Sequence, residues 1–247
     1  MPLTMFADGR FFGARHGAAP AQVLALHGWG RTHSDFDAVL DGLDAVAIDL
    51  PGFGATPTPV QAGGAKMYAE MVESVFDECA APVVLVGHSF GGRIAVHLAQ
   101  RRPEQVKALV LTGAPLLHPV NRTGKPALRY RIGRTLHRLH LVGDRHLEGL
   151  RDKYGSADYR AAEGVMRDIL VTTVNESYEP QIRAITQPVE LVWGDGDDAA
   201  PPEIATHAET MLADARLTIV TDTGHMLPLT QPGALRAAID RRLNAAS

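Results

Sequence analysis

Ser89 lies where a strand pattern runs directly into a helix pattern. Val83-Val84-Leu85-Val86 is continuously apolar, Ile94, Ala95, Leu98 and Ala99 recur at helical spacing, and Gly87-His88-Ser89-Phe90-Gly91-Gly92 joins the two. A serine in such a G-x-S-x-G turn is held in strained backbone geometry with its hydroxyl raised above the sheet. Gly87, Gly91 and Gly92 leave room for strand and helix to approach. A helix start also aims unpaired N–H groups at the reacting centre, so the Phe90 N–H is expected to stabilise a tetrahedral oxyanion. The chemistry these residues suit is attack of a serine hydroxyl on an acyl carbonyl.

An earlier apolar run ends in Leu26-His27-Gly28-Trp29-Gly30. A His-Gly-x-Gly loop after a strand is the usual source of a second oxyanion donor in this arrangement, which assigns that role to the Trp29 N–H. His27 itself reads as a hydrogen-bonded structural residue, and the Trp29 side chain as a candidate pocket wall.

Positioning these loops requires a sheet. Short runs rich in Val, Leu and Ile at Gln22 to Leu26, Ala45 to Leu50, Pro82 to Val86, Val106 to Thr112, Val189 to Trp193 and Leu217 to Val220 read as buried strands. Helical patterns separate them, which implies an α/β protein with a mostly parallel sheet covered on both faces. The alternation stops between about Pro115 and Pro188, where Leu128 to Leu141 and Ala161 to Val174 have helical spacing. The expected organisation is therefore a core of residues 1–114 and 189–247, with 115–188 inserted as a helical cap over the carboxyl ends of the strands.

His27-Gly28-Trp29-Gly30, Asp49-Leu50-Pro51-Gly52-Phe53-Gly54 and Gly87-His88-Ser89-Phe90-Gly91-Gly92 together resemble the successive signatures of the α/β-hydrolase fold family, in its order and spacing. The resemblance implies the α/β-hydrolase fold and a serine hydrolase with a Ser-Asp-His order of catalytic residues. A serine hydroxyl needs a base, and the base needs a carboxylate to fix its tautomer. His225 follows the strand-like Leu217 to Val220 within Thr221-Asp222-Thr223-Gly224-His225, and alone among the eleven histidines has the family context. His88, beside the nucleophile, reads as structural.

For the acid, Trp193-Gly194-Asp195-Gly196-Asp197-Asp198 looks like the family's strand-G-x-x-D pattern, which selects Asp197, with Asp198 its nearest competitor. Some members carry the acid after an earlier strand, but that position reads Leu111-Thr112-Gly113-Ala114-Pro115 and holds no carboxylate. The implied catalytic residues are Ser89, Asp197 and His225, with Trp29 and Phe90 forming the oxyanion hole and with no metal or cofactor. Serine at position 89 argues against the dehalogenase and epoxide hydrolase branches, which resemble this fold but use a carboxylate there.

Ester hydrolysis by a carboxylesterase-like enzyme is the leading expectation. A carbon–carbon bond hydrolase with the same triad and a ligand receptor of the same fold are the alternatives. Residues 118–153 carry nine Lys and Arg against three Asp and Glu, a net of +6 in a chain whose formal charge is -4. That surplus suits an acidic substrate or carrier protein, as in the pimeloyl-acyl-carrier methyl esterases that the first two motifs also resemble. The plainer reading puts the arginines on the solvated face of an amphipathic helix, since Leu128, Ile132, Leu136 and Leu139 share the opposite one.

The acidic balance argues against a nucleic-acid partner. The single cysteine, Cys79, forms no intrachain disulfide, and falls in a stretch, Met67 to Ala81, read as helical. No basic leader or membrane-length apolar run is present, so a soluble cytoplasmic protein acting on a small-molecule ester is expected, its oligomeric state left open.

Overall fold

The computed structural model describes residues 1–117 and 157–245. Eight strands form one sheet in the order β1-β2-β4-β3-β5-β6-β7-β8. They are β1 (Thr4–Phe6), β2 (Phe11–His16), β3 (Ala21–Leu26), β4 (Ala45–Ile48), β5 (Cys79–His88), β6 (Val106–Thr112), β7 (Val189–Gly194) and β8 (Ala215–Val220). From β4 to β8 every neighbouring pair is parallel, whereas β2 runs antiparallel to both β1 and β4.

The helices among the described residues are α1 (Asp37–Leu40), α2 (Ala65–Val72), α3 (Phe90–Arg101), α4 (Ala157–Ala161), α5 (Gly164–Val174), α6 (Glu179–Arg183), α7 (Pro202–Glu209), α8 (Leu227–Thr230) and α9 (Pro232–Asn244). Side chains alternate across the sheet because successive Cβ atoms point to opposite faces. Leu24, Leu26, Val83 and Leu85 pack with α2 and α3, while Val23, Ala25, Val84 and Val86 pack with α1 and α9. Each face therefore has its own apolar layer, which is what continuous apolar strands require. On β7 the alternation sends Glu190 to the α9 face, where Arg241 and Arg242 pair with it at 2.6 and 2.9 Å.

Strand order reverses at β3: the chain passes from β3 to β4 on one side and returns to β5 on the other. Ligands of open α/β sheets bind at such a switch point, beyond the carboxyl ends of the strands. The loops that follow β3 and β5, carrying Trp29 and Ser89, flank this gap.

The six expected strands are present with small boundary changes, but two further strands, β1 and β2, precede them. Their sequence is interrupted by Gly13 and ends in Arg15-His16, so it lacks an apolar run; the hairpin is set by its turn, where Ala7, Asp8 and Gly9 all have positive φ. The helical reading of Met67 to Ala81 is corrected: α2 stops at Val72, a 3₁₀ segment covers Glu73–Glu78, and Cys79 opens β5. Half-buried, Cys79 has its thiol pushed up to about 12 by desolvation, so it is an inert packing residue. The stretch Ala161 to Val174 contains α5, and no strand lies between β6 and β7 among the described residues. Leu128 to Leu141 and the basic segment 118–153 lie outside the described residues.

Candidate active site

Ser89 has φ 52° and ψ -111°, a conformation costly for any residue with a side chain. The surroundings over-determine it. Ser89 N–H donates to the Thr112 carbonyl on β6 at 2.9 Å, and Gly91 N–H donates to the His27 carbonyl at 3.0 Å. A Cβ at Gly91 would collide with the Leu26 carbonyl oxygen, and one at Gly87 would come within 2.5 Å of Gly92 Cα. Only glycine lets α3 start this close to the ends of β3 and β5.

Phe90 is the first residue of α3, and its N–H has no intrahelical acceptor. Among the described residues neither it nor the Trp29 N–H is bonded to an acceptor. The Trp29 loop is held by His27, which is fully buried: its Nδ1–H donates to the Gly28 carbonyl at 2.7 Å and its Nε2 accepts from Leu50 N–H at 2.9 Å. Both ring nitrogens are used, so His27 is a neutral structural residue, and burial lowers its pKa to about 4. Asp49 braces the same region by accepting from the His33 and Ala55 N–H groups at 2.8 and 3.0 Å. The Trp29 ring packs edge-on against Phe53 and Phe90 and forms one wall of the site.

Asp197 and His225 arrive on the loops after the adjacent strands β7 and β8. Gly196 N–H donates to the Thr223 carbonyl at 3.0 Å and Thr223 N–H to Asp195 Oδ1 at 3.2 Å, which binds the two loops together. His225 Nδ1–H donates to both carboxylate oxygens of Asp197, at 3.0 and 2.9 Å. Asp197 is buried and its Oδ1 also accepts from the Ala199 and Ala200 N–H groups at 3.0 and 2.8 Å, so its orientation is fixed before His225 is considered. Asp198 is exposed and makes no hydrogen bond among the described residues; Asp195 serves the loop.

Ser89, His225, Trp29 and Phe90 line one cavity of about 490 Å³, with Leu117 and Ile204 among its apolar walls. The Ser89 hydroxyl makes no hydrogen bond to His225 in this arrangement; the two share the cavity, and the His225 ring is oriented through Nδ1. Such contacts commonly tighten only when substrate is bound.

Two neighbours, Gly113 and Arg93, escaped the sequence reading, and a third, His88, was read as structural without a partner. Gly113, with φ +55°, faces the Asp197–His225 pair so closely that a Cβ there would lie 3.0 Å from the His225 ring and 3.2 Å from Asp197 Oδ2. Arg93, on the wall of the cavity, is almost fully buried and donates to the Pro115 and Thr173 carbonyls at 3.2 and 2.8 Å, tying α3 to the chain on either side of the 118–156 segment. His88 donates from Nε2 to the His225 carbonyl at 3.0 Å. Only His88 had a signal in the sequence, its place beside Ser89. Among the described residues no group of three or more His, Cys, Asp or Glu could hold a metal ion, and no helix is long and apolar enough to cross a membrane.

A pimeloyl-[acyl-carrier protein] methyl ester esterase of Neisseria meningitidis serogroup C is 28% identical over 247 aligned residues, covering 89% of this chain and 92% of that protein. A 2-hydroxy-6-oxononadienedioate/2-hydroxy-6-oxononatrienedioate hydrolase of Pseudomonas is 24% identical, covering 85% of this chain and 79% of that one. Among solved structures, a thermophilic esterase from Thermogutta terrifontis superposes with a TM-score of 0.66 at 19% identity, over 98% of this chain and 97% of that one, a likeness of fold. The model of the alpha/beta hydrolase family matches residues 23–238, and the chain belongs to that family.

Proposed function

We propose that this hydrolase cleaves carboxylic esters through an acyl-enzyme on Ser89. The observation that carries the reading is the Asp197–His225 pair, whose Nδ1 bond leaves His225 Nε2 as the basic nitrogen on the wall of the Ser89 cavity. His225 takes the Ser89 proton as Oγ attacks the acyl carbon. The Phe90 and Trp29 N–H groups stabilise the oxyanion, and the proton then passes to the leaving alcohol. Water, activated by the same histidine, releases the acid and restores the serine. Residues 115–188 would cap the cavity, with α4 to α6 belonging to that cap.

The finer substrate reading is a methyl or other small-alcohol ester on a carrier-linked acyl chain. It is favoured by the similarity to proteins named as pimeloyl-[acyl-carrier protein] methyl ester esterases and by the +6 charge of residues 118–153. The test of ester hydrolysis is turnover of p-nitrophenyl esters of graded chain length by wild type and Ser89→Ala. A loss on the order of 10⁴-fold supports the reading, and equal rates overturn it.

A further inference from the structure

His88 is 1% exposed, yet it is an imidazole rather than an apolar side chain. Its Nε2 lies 3.0 Å from the His225 carbonyl oxygen, which can only accept, so the proton of His88 is on Nε2. Its Nδ1 is then an acceptor, and no hydrogen-bond partner reaches it among the described residues. Leaving a buried acceptor unpaired costs free energy that a leucine or methionine of similar size would avoid. Packing alone therefore does not account for histidine here; the one bond that it makes does.

That bond runs between the two loops whose separation matters most. His88 ends β5 immediately before Ser89, and His225 stands on the loop after β8; β6 and β7 lie between these strands in the sheet, so no strand pairing links them. The two imidazole rings also touch, with centroids 4.9 Å apart. On its other side His88 abuts the oxyanion loop: a Cβ at Gly28 would lie 2.9 Å from His88 Nδ1 and 3.2 Å from Ser89 Cβ. One ring thus spaces three of the site's loops, those after β3, β5 and β8.

We infer that His88 is a positioning residue for the general base, its Nε2–H fixing the His225 backbone relative to Ser89. The inference rests on the reading of Ser89, Asp197 and His225 given above. Complete burial lowers the His88 pKa to about 4, with the nearby His225 adding to the effect, so the ring stays neutral at neutral pH. A neutral donor can hold His225 without placing a positive charge beside the imidazolium that forms during catalysis. Asp197 sets the direction of the ring from its Nδ1 side, and His88 sets where the backbone carrying that ring sits.

The test compares His88→Gln with His88→Met, two side chains of similar length of which only glutamine can donate to the His225 carbonyl. With p-nitrophenyl butyrate, His88→Met is expected to lower kcat about 10- to 100-fold with KM nearly unchanged, and His88→Gln to recover most of that loss. Equal kcat values for the two variants, or an effect confined to KM, would overturn the inference. His225→Ala, run alongside, separates the two readings: if it is as active as wild type, the triad assignment fails on its own account. Histidine-¹⁵N NMR of the unaltered protein at pH 7 decides the matter even if a variant misfolds or the ester is not turned over. Neutral His88 protonated on Nε2 is the expected state, and an Nδ1–H or doubly protonated ring overturns the proposal.

Discussion

Asp197 meets His225 Nδ1 with both carboxylate oxygens, at 3.0 and 2.9 Å, while the Ala199 and Ala200 N–H groups hold one of those oxygens from the opposite side. The carboxylate is thereby oriented by backbone that the histidine does not touch. Asp197→Asn presents an amide where an acceptor is needed and favours the wrong tautomer, so turnover is expected to fall by about 10⁴-fold. Asp198→Asn, at an exposed position, is expected to retain wild-type activity. Steady-state kinetics on both variants checks the assignment, and the reverse pattern would move the acid by one residue.

Gly113 makes the same pair sensitive to a methyl group just past the end of β6. Gly113→Ala forces a side chain into φ +55° and sets a Cβ 3.0 Å from the His225 ring. The strain costs about 1–2 kcal/mol, and displacement of the base should lower kcat by about 10-fold or more. Thermal unfolding and kcat measured together check this, and an unchanged kcat would show that the ring moves aside without consequence.

His27 and His88 are both buried with pKa values lowered to about 4 from 6.5 by desolvation. The unfolded chain therefore binds more protons than the native one between pH 6.5 and 4, and stability falls as pH drops through that window. Each histidine contributes about 3 kcal/mol to that fall. Urea unfolding from pH 7 to 4.5 should show the decline, with a shallower slope in His27→Gln; an identical slope in the variant would contradict the role of its burial.

Glu190, buried on β7, holds the C-terminal helix α9 through Arg241 and Arg242. Glu190→Ala leaves two guanidinium groups without their shared carboxylate and should destabilise the protein by about 2–3 kcal/mol. Glu190 does not line the Ser89 cavity, so kcat of the folded protein should not change. A lowered urea midpoint with unaltered kcat is the expected result.

The parallel strands and the Ser89 turn were legible because they obey strong local rules. Val83 to Val86 are apolar on both faces of a covered sheet, and only glycine fits at 87 and 91. The β1–β2 hairpin was missed although Asp8-Gly9 is a hairpin-turn pair, because the short flanking strands, one interrupted by Gly13 and ending in Arg15-His16, carry no continuous apolar run. The end of α2 was missed because Val75 and Phe76 keep an apolar spacing through the 3₁₀ segment that follows it. Within the site, Asp197 and His225, each singled out by a local motif, meet at hydrogen-bond distance, whereas Gly113 and Arg93 act through neighbours distant in sequence. Arg93 meets Thr173, eighty residues away, in a contact that no local pattern encodes.

The most direct measurement of the central claim is intact-mass analysis after treatment with a fluorophosphonate, which reacts with an activated serine. A single adduct is expected on wild type, mapped to Ser89, absent from Ser89→Ala and strongly slowed in His225→Ala. An unmodified wild type, or equal labelling of Ser89→Ala, would contradict it.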